Sequence, residues 1–192
     1  MNCPAKAESS MPTTLRLATP ADAQAIAALV NRAYRPATQQ RGWTHEADWV
    51  AGERISSEQV AALDGPRSCV LLLCRGPAIA ACVHIEADGD CSYIGMLASE
   101  PGQQGQGLGK RMLAAAEAHA AEHFAAHSFR MVVLSARAEL IAFYERRGYR
   151  RTGQLEPYPV AAGVGSPRQA GLTIETLIKP ASHGPDMAPA IT

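Results

Sequence analysis

The 192-residue chain has no excess of charge of either sign, 18 Lys and Arg standing against 18 Asp and Glu. That balance removes the broad positive field by which proteins hold nucleic acid or a membrane surface, so neither partner is expected. The chain also lacks any apolar run approaching the ~20 residues of a bilayer span. The opening residues, Met1 to Ser10, have no apolar core of a secretion signal. Its five cysteines (3, 69, 74, 82 and 91) form no C-x-x-C pair and, being odd in number, cannot all pair with each other. Four lie in or beside strand-like runs, where a reduced Cys behaves as a small hydrophobe. Together these absences predict a soluble, cytoplasmic, thiol-reduced protein, and the length predicts one domain.

What is present is ordered punctuation. Residues 1–12 and 181–192 are rich in Pro, Ala, Ser and Gly and read as mobile tails around a domain at 13–180. Thr14 to Leu17 alternates as a short strand. Thr19-Pro-Ala-Asp22 then supplies an N-cap, a Pro at the first helical position and an acid three residues on. The helix that follows sets Ile26, Leu29, Val30 and Tyr34 on one face. Thr44 would cap a second helical stretch with Glu46 and Asp48 in its first turn. Ser56 with Gln59 restarts it, and Gly65-Pro66 stops it.

Strands are predicted at Cys69 to Cys74, Ala78 to Glu86 and Ser92 to Ala98, the last two joined by an Asp88-Gly-Asp90 turn. An Ala-rich helix runs from Arg111 to Ala126, a buried-type strand from Arg130 to Ser135, and a helix from Glu139 to Arg147 ended by Gly148. Tyr149 to Gly153 and Leu172 to Ile178 close the series. The order β-α-α-β-β-β-α-β-α-β-β is a mixed α/β layer, helices crossing over an open sheet.

Between the third of these strands and the Ala-rich helix lies Ser99-Glu-Pro-Gly-Gln-Gln-Gly-Gln-Gly-Leu-Gly-Lys110, which holds glycines at 102, 105, 107 and 109. A strand feeding a glycine turn that opens into a helix is built to hold phosphate. Glycine lets main-chain N–H groups converge, and the helix start adds unpaired donors and partial positive charge. A Walker A loop is excluded, because Gln104 stands at its first glycine position and Arg111 where the Mg²⁺-binding hydroxyl belongs. The dinucleotide fingerprint is excluded too, for want of a third glycine at the right step. Gln104-Gly-Gln-Gly-Leu-Gly109, preceded by Pro101, fits Q/R-x-x-G-x-G/A. A glycine turn without a ligand is the plain alternative.

That pattern resembles the acetyl-CoA pyrophosphate loop of the GNAT N-acetyltransferase superfamily, and the element order resembles the GNAT fold over residues 13–180. A second segment agrees. Arg137 to Tyr149 looks like the superfamily's N-x-x-A-x-x-L/F-Y-E-x-x-G-F, with Tyr144 on the usual tyrosine and Gly148-Tyr149 on the Gly-aromatic pair. Arg137 and Leu140 depart from it, standing where Asn and Ala are common.

The resemblance implies an N-acetyltransferase that takes acetyl-CoA as cosubstrate, with no metal, and delivers the acetyl group to a small-molecule primary amine, as monomer or homodimer. It implies pyrophosphate on the N–H groups of Gln104, Gly105, Gln106, Gly107, Leu108, Gly109 and Lys110, and the pantetheine arm along Leu97, Ala98 and Ser99. Tyr144 would be the general acid: a phenol of ordinary pKa near ~10 donates readily to a thiolate of comparable basicity. Read by periodicity alone, Tyr144 is a core aromatic. A non-catalytic acyl-CoA-binding sensor is the rival of another class.

For the proton leaving the amine, His84 and Glu86 share a face of one strand, and either could pass it to water; a solvated strand face is the bland alternative. Arg146, Arg147, Arg150 and Arg151 crowd a helix end, where the dipole alone would favour them, and Lys110 or Arg111 are nearer candidates for the CoA 3′-phosphate. His119-Ala-Ala-Glu-His123 is a literal H-x-x-E-H with His127 beyond it, the inverted zinc-peptidase string. A peptidase also needs a third ligand and a cleft, and an Ala/His/Glu-rich helix surface produces such strings by chance. The superfamily builds acceptor pockets from segments that here are Arg35 to Trp49 and Glu156 to Ala170.

Overall fold

The computed structural model describes residues 12–36 and 45–181. Cys3, Arg41, Trp43, the Thr44 cap and all of the expected tails except Pro12 and Ala181 lie outside the described residues. Thr19 donates through its N–H and hydroxyl to Asp22 at 2.8 and 2.9 Å, and Arg16 reaches both Asp22 oxygens at 2.7 Å. One 3₁₀ turn at Pro20–Asp22 therefore separates β1 (Thr13–Leu17) from α1 (Ala23–Tyr34). The Ser56–Gln59 capping box forms as predicted and starts α2 (Ser57–Ala61).

Residues 45–49, predicted to be helical, form a turn into the two-residue strand β2 (Val50–Ala51). The reason is tertiary. β2 pairs with β8 (Ser166–Pro167), more than a hundred residues on, while the Glu46 carboxylate turns inward to an arginine. Local capping loses to these long-range partners.

The remaining elements are β3 (Ser68–Arg75), β4 (Ala78–Asp88), β5 (Cys91–Ser99), α3 (Leu108–His123), β6 (Ser128–Leu134), α4 (Ala138–Glu145), β7 (Arg150–Pro157) and β9 (Thr173–Pro180). Setting aside β2 and β8, this is the element order read from the sequence. Helix α3 begins three residues before the expected Arg111, because the glycine turn closes at Gly107.

The seven-stranded sheet runs β1-β3-β4-β5-β6-β9-β7, antiparallel except where β5 meets β6. Alternation along β3 sorts the two layers. Leu71 and Leu73 pack with Met112, Leu113 and Ala116 of α3 and Ile141 of α4, whereas Val70, Leu72 and Cys74 pack with Ile26, Leu29 and Val30 of α1.

Beside β6, β5 keeps only three parallel pairs, Cys91↔Ser128, Ser92↔Phe129 and Tyr93↔Arg130, and then the two strands part. A bulge opposite Val83, between Cys82 and His84, puts Met96 at φ 49° and bends β5 at that point. The parting leaves a V-shaped gap through the middle of the sheet.

Candidate active site

The gap is walled by β5 on one side and by the β6–α4 junction on the other. At its wide end stands the N-terminus of α3. Gly107 caps that helix at φ 76°, a left-handed conformation that an L side chain adopts only under strain. The first intrahelical bond of the turn runs from Arg111 N–H to the Gly107 carbonyl at 3.0 Å. The N–H groups of Leu108, Gly109 and Lys110 therefore have no acceptor within the helix.

A cavity of about 300 Å³ lies against them, lined by Leu97, Ser99, Gln104, Gly105, Gly107, Leu108, Gly109, Lys110 and Tyr144 among the residues predicted from sequence. Two predicted residues stand apart from it. Ala98 is buried in the core beneath α1, and Gln106 accepts a hydrogen bond from Arg75 at 2.9 Å. The same cavity takes in Tyr34, Arg137, Leu140, Phe143 and Arg147. Of the four-arginine cluster only Arg147 reaches it; Arg151 is held by both oxygens of Glu175 at 2.7 Å.

Arg147 lies flat on the Phe143 ring, 3.4 Å from its centroid, and its Nε is buried with no partner among the described residues. An orphaned buried guanidinium donor, next to a helix start and a left-handed glycine, suits an anionic ligand. The donor set suits a phosphate-bearing anion, with the N–H groups of Leu108 to Lys110 at the cavity wall.

Tyr144 projects from α4 to the narrow part of the cavity. Burial pushes its phenol well above the ordinary tyrosine value, while the guanidinium of Arg137 pulls against the shift. It thus stays protonated at any neutral pH, the form a proton donor needs. Tyr34 faces it from the end of α1, its ionisation raised by burial in the same way.

Beyond these two phenols the gap continues. Tyr34, Leu97, Leu140 and Tyr144 also line a narrow chamber on the far side, with Glu46, Arg54 and Tyr93. Arg54 and Tyr93 then border a wider hollow of about 380 Å³ reached by His84. Gly95 makes room here, since a Cβ on it would collide with the Tyr93 ring.

The two segments expected to build an acceptor pocket do meet. The Arg35 guanidinium donates to the Val164 carbonyl at 3.2 Å, and Arg168 donates through its N–H to Trp49 and through Nε to Ala47, both at 2.8 Å. Between them Glu46 is held by Arg35 at 2.7 Å, with Arg137 at 3.9 Å. Sequence reasoning named Glu46 without its partners, which lie 11 residues before and 91 after it.

His84 is buried, its Nε2 2.8 Å from the Ser68 hydroxyl, and burial holds its pKa below the usual histidine value. Glu86, two residues on, is exposed.

On the back of α3, His119 contacts Cys69 (Nε2 to Sγ 3.4 Å) and tilts against His123, ring centroids 4.3 Å apart. Burial pushes the Cys69 thiol up to about 11, so it is no thiolate at neutral pH. Among the described residues no three His, Cys, Asp or Glu side chains are grouped to hold a metal, and none of this string lines the cavity.

Residues 24–149 match the model of the acetyltransferase (GNAT) family. No curated protein matches the chain in sequence. Solved structures do. The ribosomal-protein-S18-alanine N-acetyltransferase of Escherichia coli is 18% identical, with a TM-score of 0.67 over 92% of this chain and 99% of that one. A Salmonella typhimurium structure holding acetyl-CoA as its cofactor is 17% identical (TM-score 0.65; 92% and 99% covered). A Streptococcus pneumoniae acetyltransferase of the GNAT family is 18% identical (TM-score 0.63; 89% and 100% covered). At these identities the likeness is one of fold.

Proposed function

We infer that the chain, which belongs to the acetyltransferase (GNAT) family, moves an acetyl group from acetyl-CoA to a primary amine of a small molecule. One observation carries the reading. A cavity reaches from the donor-rich start of α3 to the Tyr144 phenol, and a second chamber on the far side shares the walls made by Tyr34, Leu97, Leu140 and Tyr144. Acetyl-CoA entering from the α3 side would lay its pyrophosphate on the N–H groups of residues 104–110 and its arm along Leu97 to Ser99. The arm would take the place of the strand partner that β5 lacks beyond Tyr93.

The acceptor comes from the other chamber as a neutral amine, because an ammonium has no lone pair. Its nitrogen attacks the thioester carbonyl carbon, the C–N bond forms and the C–S bond breaks. The departing sulfur takes the hydroxyl proton of Tyr144. The proton lost by nitrogen passes to water in the outer chamber, which His84 borders, and a solvent proton restores the phenol. Holding both reactants in one slot supplies much of the rate.

The decisive measurement is release of CoA thiol from acetyl-CoA across a panel of amines. Amine-dependent release with a matching acetylated product supports transfer. Tight acetyl-CoA binding with no release from any amine would instead leave a sensor.

A further inference from the structure

The acceptor side of the gap holds an unbalanced charge. The two chambers beyond Tyr144 carry Glu46 and Arg54 as their ionised lining residues. Glu46 is already committed, its carboxylate 2.7 Å from Arg35 and 3.9 Å from Arg137. His84 is held neutral by burial. Arg54 is different. It borders both chambers, its guanidinium rests over the Tyr34 ring at 5.6 Å, and no carboxylate among the described residues pairs with it. Its own main chain is fixed, the Arg54 N–H donating to the Asn31 side-chain oxygen at 2.7 Å, so the side chain starts from a rigid point. The walls around it are mostly apolar, with Ile55, Leu63, Met96 and Val164, and take in Gln59 and His84 as polar members.

A polycationic acceptor entering this space would meet an unpaired guanidinium on the wall, while Glu86, whose charge acts on His84 and Tyr93, stands outside the lining. That like-charge approach raises the cost of binding. A carboxylate would meet a planar fork of donors that it can engage in two parallel hydrogen bonds. Resting on the transfer reading above, we propose that the acceptor is an amine that also carries a carboxylate, an apolar amino acid, whose carboxylate is held by Arg54. The apolar wall takes its side chain and the amine is left pointing through the gap toward Tyr144.

The test compares L-leucine, L-methionine and L-phenylalanine with their carboxamides, and with spermidine and kanamycin, by CoA thiol release. The carboxamides keep size and shape but lose the charge. Their amines are less basic and more often neutral at pH 7.5, so simple nucleophile supply favours them. Expected is a kcat/KM at least ~10-fold higher for an acid than for its amide, the scale of one charge-assisted hydrogen bond. In Arg54→Gln this preference collapses, while acetyl-CoA affinity by calorimetry stays unchanged and shows the variant folded.

Amides used as well as acids, spermidine or kanamycin used in preference to all three acids, or a preference that survives in Arg54→Gln, each overturns the subsite. Absence of turnover with every amine, charged or not, overturns the transfer reading instead.

Discussion

The Tyr34 hydroxyl donates to the Leu97 carbonyl at 3.0 Å. Tyr34 ends α1 on one face of the sheet, and Leu97 lies in the bulge of β5 beside Met96. This bond ties the parted strand to a helix, so the width of the gap is set by α1 as well as by β-sheet pairing. It also brings the Tyr34 phenol to the wall that Tyr144 faces.

Tyr144→Phe removes one hydroxyl and keeps the ring that packs edge-on against Phe143 and Tyr149. Acetyl-CoA affinity and melting temperature should change little, and the single-turnover acyl-transfer rate should fall by ~10²-fold or more. Because burial raises the Tyr144 ionisation, wild-type activity should climb as the amine loses its proton and then stay level to at least pH 10. A normal chemical step in the variant would make Tyr144 packing alone.

Gly107→Glu sets a side chain at φ 76° and a carboxylate beside the N–H groups that open α3. Open space around the Cβ position leaves backbone strain as the local cost, and a thermal melt checks that the variant is folded. Acetyl-CoA binding should be lost in calorimetry, since the carboxylate occupies the anion's place. Gly107→Ala, which carries only the backbone strain, should weaken binding far less. Equal affinity of Gly107→Glu and wild type would remove phosphate from this turn.

Local signals were legible in the chain: both capping motifs, the alternation of β3 and the glycine turn each depend on neighbours within a few residues. Residues 45–49 were misread for the opposite reason. Their caps suit a helix, yet pairing of Val50 with Pro167 and the draw of Arg35 on Glu46 decide the outcome. Tyr34 comes from α1, Glu46 and Arg54 from the loops on either side of β2, and Tyr93 from β5, and they meet where β5 parts from β6. No spacing in the sequence encodes that meeting. Tyr34 was legible as a helix-face residue, and its opening onto the gap was not.

Glu46 compensates two guanidinium groups whose side chains are 7% and 5% exposed. Glu46→Ala would leave the buried Arg35 guanidinium without its carboxylate, at a cost of about 3–5 kcal/mol, readable as a large drop in the urea midpoint. A loss under ~1 kcal/mol would mean that the cluster behaves as a surface ion pair.

His84 gives a pH signature. Its folded pKa lies below the unfolded value of 6.5, so the unfolded chain binds its proton first. The His84 contribution to stability is fully present above pH 6.5 and declines as the pH falls below it. Glu86 moderates the shift through its charge. The melting temperature of wild type should drop between pH 7 and pH 5, and that of His84→Gln should drop less. Parallel profiles would show that His84 is not the titrating group.

Chelation should leave acetyl transfer intact, and the purified protein should carry no stoichiometric zinc. About one zinc per chain, lost in His123→Ala, would revive the H-x-x-E-H string as a metal site.

The three-pair contact between β5 and β6 has a consequence for the outline of the sheet. Strands normally expose unpaired main-chain groups only at the two rims, where they invite other chains and need guarding. Here β1 and β7 are those rims, and the parting of β5 from β6 makes a third, folded inside the molecule. Tyr34 of α1 and Leu140 and Tyr144 of α4 line it, so an intruding strand would have to displace them. The interior rim is thus a template shielded from aggregation by its own doorway.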